Sequence, residues 1–77
     1  MSTFDKVKDA IINALQCDES LILPETNIAE GLGVDSLAMM ELVMELEDTF
    51  DIKIANDQVK DIVTVGDVVA MVEGMTA

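Results

Sequence analysis

The sequence predicts an all-α fold: a small bundle of three longer helices and one short helical segment, with one long loop between the first two helices. Three observations predict it. Apolar residues recur at three- and four-residue spacing in three separate stretches. From about Gln16 to Asp35 no period holds, and Pro24, Asn27, Gly31 and Gly33 punctuate the stretch. The chain has 77 residues, 51% of them hydrophobic, which suits a single domain over residues 1–77 with a small core rather than a disordered chain.

The elements follow in order. Phe4, Val7, Ile11, Ala14 and Leu15 mark one face of a first helix, and Ser2 with Asp5 three residues on is a start signal. The long loop comes next, with Leu21, Leu23, Ile28 and Leu32 available to pin it to the core. A second helix runs from about Ser36 to Phe50, a span of strong helix formers without glycine or proline. After a short turn, Asn56 caps a brief helical segment through Asp61 that buries Val59, with Ile62 just beyond. Thr64 and Asp67 form a capping-box signal for a last helix, in which Val65, Val68, Val69 and Val72 make an apolar face before Gly74. Valine favours strands, but this spacing favours helix.

Composition narrows the chemistry. Sixteen acidic residues against four lysines give a net charge of -12, which disfavours nucleic acid and anionic membrane and favours basic protein partners. The interval from Asp9 to Ile52 carries acids and no base. No histidine is present, so neither Ser36 nor Cys17 has an imidazole base, and no Ser-x-x-Lys spacing supplies a lysine. No calcium loop and no glycine-rich phosphate cradle appears. A catalytic role for the chain alone is therefore not expected. Cys17 is the only cysteine, which excludes an internal disulfide and reads as a small packed hydrophobe. With no secretory leader pattern and no apolar run long enough to span a bilayer, a soluble, cytoplasmic, monomeric protein is expected, without stable membrane insertion.

The second helix has two apolar faces. With Ser36 at 0° and roughly 100° per residue, Met39, Leu42, Val43, Leu46 and Phe50 fall between about 240° and 340° and form the core face. Leu37, Met40 and Met44 fall between about 40° and 100°, flanked by Glu47 and Asp51 on one side and by Glu41 and Asp48 on the other. An apolar strip rimmed by carboxylates suits docking of a basic partner. The competing reading is that the loop or the short third helix covers Leu37, Met40 and Met44. Ser36, at the mouth of this helix, is open to two readings as well: a plain helix cap, or a hydroxyl that an outside enzyme modifies, since a phosphate there would face free backbone N–H groups and the positive end of the helix dipole.

Leu32-Gly33-Val34-Asp35-Ser36-Leu37, followed by Glu41-Leu42-Val43-Met44-Glu45-Leu46-Glu47-Asp48-Thr49-Phe50, resembles the region around the modified serine of bacterial acyl carrier proteins. The resemblance runs the length of the chain, taking in Val7, Leu15, Ile54, Ile62 and Thr64-Val65. It implies a four-helix bundle in which Ser36 carries 4'-phosphopantetheine through a phosphodiester bond, installed from coenzyme A by a separate phosphopantetheinyl transferase that uses magnesium. It implies, too, a non-catalytic carrier that presents acyl thioesters to enzymes of fatty-acid or related polyketide-type biosynthesis. Asp35, Leu37, Met40, Glu41, Met44, Glu47 and Asp48 match the positions that meet basic docking surfaces of those enzymes. Core residues along the second helix, such as Leu46, would line an acyl pocket. Ala38 stands where the fatty-acid carriers often have an acid, and Asn56 and Lys60 occupy third-helix positions where acids are usual, which leaves a specialised carrier of a secondary pathway as an alternative. The alternative from another class is an acidic helical interaction module that is never modified; a small acidic protein binding calcium or magnesium is a third.

Overall fold

The computed structural model describes residues 2–76. It contains five α-helices: α1 (Thr3–Leu15), α2 (Ile28–Gly31), α3 (Ser36–Phe50), α4 (Asn56–Lys60) and α5 (Val65–Thr76), with a 3-10 turn at Glu19–Leu21. The three longer helices and the short third one expected from sequence are α1, α3, α5 and α4. Among the described residues no helix is long and apolar enough to cross a membrane.

The first helix starts where its capping signal lies: the Ser2 hydroxyl accepts from the Asp5 N–H at 3.1 Å, and the Asp5 carboxylate accepts from the Ser2 N–H at 3.4 Å. It ends at Gln16, whose φ of 54° takes the backbone left-handed. Val7, Ala10 and Ile11 are fully buried, while Phe4, Ala14 and Leu15 pack at the margin of the core. Helix α1 lies against both α3 and α5. Leu42 and Leu46 from α3, with Val65, Val68 and Val72 from α5, join them in the interior. Cys17 is half-buried against the same cluster.

The long loop is more ordered than its lack of period suggests, and its anchors differ from those expected. Ile28 is buried and Leu32 packs on the core, but Leu21 and Leu23 are 51% and 49% exposed and Ile22 between them is buried. The cause is local. The 3-10 turn ends at Leu21 and Ile22 is extended, so successive side chains there point to opposite sides. Backbone bonds then stitch the loop to the start of α5: Gly66 N–H to the Pro24 carbonyl at 2.8 Å, Val65 N–H to that of Thr26 at 3.0 Å, and Ile28 N–H to that of Val63 at 2.9 Å. A Cβ on Gly66 would lie 3.0 Å from the Pro24 oxygen, so a larger residue at this crossing would have to push the Pro24 carbonyl back.

Three other expectations are corrected at the C-terminal half. Ala55, not Asn56, precedes the first turn of α4; the cap comes instead from the Gln58 side-chain carbonyl, which accepts from the Ala55 N–H at 2.9 Å. Val59 is half-buried rather than buried, because α4 is only five residues long and lies at the rim. Helix α5 continues through Gly74 to Thr76, and Met75 extends its apolar face onto the core.

The capping box of α5 forms as its sequence predicts. Thr64 Oγ1 accepts from the Asp67 N–H at 3.1 Å, and Asp67 Oδ2 accepts from the N–H groups of Thr64 and Val63, each at 3.0 Å. The Thr64 N–H, and after it the Val63 N–H, hold the Asp67 carboxyl below its ordinary range. A lowered folded-state pKa contributes stability above the unfolded value that is lost as pH falls through the folded one. Asp67→Asn should therefore be less stable than the parent at neutral pH, with the gap closing as pH falls below about 4. Denaturation midpoints of the two chains across that range check this; a gap independent of pH would contradict it.

The whole molecule measures 27 × 27 × 19 Å. At about 0.01 M salt the screening length is roughly 30 Å, so all its carboxylates repel one another; at about 1 M it is roughly 3 Å. Raising salt between these limits should raise the melting temperature by several degrees. A flat response in a thermal melt would contradict it.

Candidate functional site

Helix α3 brings the candidate residues together. Gly33, with φ of 65°, turns the chain into the helix. Asp35 then serves as the N-cap: its Oδ1 accepts from the Ala38 N–H at 2.9 Å, and its carbonyl accepts from the Met39 N–H at 2.9 Å. Ser36 is the first helical residue and is exposed. Its hydroxyl makes no hydrogen bond to any described residue, so the capping role that its position suggests belongs to Asp35. An exposed, uncommitted hydroxyl stands beside the first free N–H groups of a fifteen-residue helix.

The second apolar strip is open. Leu37, Met40 and Met44 are 66%, 63% and 65% exposed, and neither the loop nor α4 covers them. Glu41 and Asp48 on one side of the strip are exposed as well. Glu47 on the other side is half-buried, because its Oε2 accepts from the Ile54 N–H at 2.8 Å. No ion pair neutralises this face among the described residues, since the one formed there joins Lys8 to Glu19 across 3.1 Å. Glu41, Met44, Glu45, Glu47, Asp48 and Asp51 border a surface hollow of about 620 Å³, with Ile52 and Lys53 at its end. Among the described residues no group of cysteine and carboxylate side chains is arranged to hold a metal ion.

A groove lies on the other flank of the strip, between α3 and α4. Close to Ser36 it is lined by Val34, Met39, Met40 and Val59; farther along, Val43, Met44, Glu47, Ile54 and Asn56 join the wall and enclose about 230 Å³. Leu46, expected to line a pocket, is fully buried and not part of this wall. Met39 and Val43, placed by the helical wheel on the core face, are half-buried: they pack against the core and line the groove as well. The wheel holds the reason: at about 300° and 340° they lie between the buried Leu42 and the exposed Met40. Ile54 and Val59 were not legible as groove residues, because facing Met39 and Val43 across the groove leaves no local signal in either segment.

This arrangement holds an exposed hydroxyl, an apolar groove beside it and an open apolar strip rimmed by carboxylates. The chain contains no histidine. Residues 5–72 match the family model described as a phosphopantetheine attachment site. A protein of Sulfurovum sp. named acyl carrier protein is 40% identical over 75 residues, which cover 97% of this chain and 100% of the relative. A protein of the same name from Campylobacter lari is also 40% identical over 75 residues, covering 97% of each chain.

Proposed function

Because the chain belongs to the acyl carrier protein family, whose phosphopantetheine attachment domain spans nearly all of it, we propose that Ser36 is its attachment point and that it carries acyl groups as thioesters for enzymes of fatty-acid or related acyl biosynthesis. The observation that carries the reading is the free Ser36 hydroxyl at the mouth of α3, released from capping by Asp35. The surroundings suit the group. The first-turn N–H groups of α3 would face the phosphate, and Val34, Met39 and Val59 offer apolar surface beside it. When attached, the arm supplies a terminal thiol, the nucleophile that the sequence lacks.

The chain's own residues bind, present and shield. Met39, Val43, Ile54 and Val59 form the groove in which an acyl chain would be withheld from water. Leu37, Met40 and Met44 provide apolar contact to partner enzymes, and Glu41, Glu47 and Asp48 attract the basic residues around their entrances. Asp35 keeps the helix mouth in place. A separate phosphopantetheinyl transferase installs the arm from coenzyme A with magnesium, and the carrier acts as a monomer in the cytoplasm.

Neutral hydroxylamine, which cleaves thioesters, tests this reading on protein taken from its own cells. Acyl hydroxamates should be released, and their chain lengths and substituents separate a fatty-acid carrier from one serving a specialised pathway. Release of none from cells that are making acyl products would overturn the reading.

A further inference from the structure

Two of the three apolar side chains on the open strip of α3 carry a thioether where leucine would supply the same apolar contact. Met40 and Met44 are largely exposed and lie four residues apart on one face of the helix. Neither belongs to the core or packs against it. The other methionines among the described residues stand differently. Met39, Met71 and Met75 are half-buried against the core, and the Met75 sulfur accepts from the Gln58 side-chain N–H at 3.6 Å. The sulfurs of Met40 and Met44 accept no hydrogen bond from any described residue. The molecule therefore holds two classes of thioether, and the open class coincides with the strip.

From this contrast we infer that Met40 and Met44 form an oxidation site for a small uncharged peroxide, and that its modification weakens docking on the strip while leaving the bundle intact. In each reaction a sulfur lone pair attacks one oxygen of hydrogen peroxide. The S–O bond forms as the O–O bond breaks, so the thioether is oxidised to a sulfoxide and the peroxide is reduced to water. The net charge of -12 repels anionic oxidants and leaves a neutral one unaffected. In the free chain the sulfoxide is solvated and disturbs no packing, since neither side chain touches the core. Against a partner it becomes a polar acceptor inside an apolar contact, and burying such a group without a donor is costly. The inference rests on the reading of the strip as a docking surface for basic partners. It makes that surface sensitive to peroxide at atoms remote from the core.

The test treats the full chain, without an arm on Ser36, with hydrogen peroxide and follows each methionine by peptide mass mapping. Met40 and Met44 should oxidise before Met39, Met71 and Met75. At that stage the melting temperature should stay within about 3 °C of the untreated chain, the scale of an exposed substitution in a small domain. The dissociation constant for an amphipathic helical peptide of leucine and lysine, the probe for a basic partner, should rise about tenfold, the scale of one buried polar group left unpaired. The Met40→Leu, Met44→Leu double variant should bind the peptide equally before and after peroxide. Oxidation of Met39, Met71 or Met75 at the same rate, a larger fall in melting temperature, unchanged affinity of the oxidised parent, or an equal loss in the double variant would each overturn the inference. A parent that does not bind the peptide at all would defeat the docking strip and the inference with it. No arm is involved, so failure to load Ser36 would defeat the carrier reading while leaving this result standing.

Discussion

Ser36→Ala is expected to abolish acyl carriage completely while leaving the stability of the fold within about 0.5 kcal/mol of the parent, the scale of exposed substitutions that remove no cap or buried contact. The two halves of this expectation come from different atoms. Carriage depends on the hydroxyl, the one uncommitted nucleophile precursor at the mouth of α3. Helix stability depends on the neighbouring carboxylate, since Asp35 accepts the Ala38 N–H. Asp35→Ala should accordingly cost about 1 kcal/mol while leaving a serine that can still be modified. Mass spectrometry after treatment with coenzyme A and a transferase, set beside denaturant unfolding of the same variants, measures both. An unmodified interaction module would give another pattern, with activity in a pathway assay surviving the loss of Ser36.

Glu41→Lys combined with Asp48→Lys should weaken binding to a partner enzyme by about 10- to 100-fold at low salt, with the difference shrinking as added salt shortens the screening length. Both carboxylates are exposed and neither takes part in a hydrogen bond among the described residues, so reversing them alters the field without disturbing the bundle. Glu47 is unsuited to the same experiment, because removing its carboxylate also releases the Ile54 N–H. Leu37→Ala or Met40→Ala should weaken binding as well, but with little dependence on salt, since apolar contact is not screened. Affinity measured across salt concentrations separates the two contributions. Equal affinity of parent and double variant at low salt would remove the acidic strip from the account.

What could be read from the sequence was what local chemistry decides. The caps at Ser2 and at Thr64 with Asp67, the apolar faces of α1 and α5, and the split of α3 into a buried and an open side all follow from spacing and hydrogen-bonding side chains near in sequence. The acidic strip was legible for the same reason, and the structure decided only whether anything covered it. What escaped depends on contacts between distant segments. Ile22 replaces its neighbours as an anchor because a 3-10 turn sets the phase of the extended chain after it. The groove needs residues of α3 and α4 to face each other, and Glu47 meets the Ile54 N–H only through the turn between them. The identity of the cap at α3 was hidden by adjacency: Asp35 and Ser36 are both good capping residues, and only the backbone geometry assigns the role to Asp35.

The most direct measurement of the central claim is the intact mass of the protein isolated from its own cells, followed by peptide mapping of any added group. The account predicts a population heavier by one phosphopantetheinyl group, free or acylated, located on the peptide that contains Ser36 and missing from a Ser36→Ala strain. A mass equal to that of the bare chain under all growth conditions, or an added arm that persists in the Ser36→Ala strain, would contradict it.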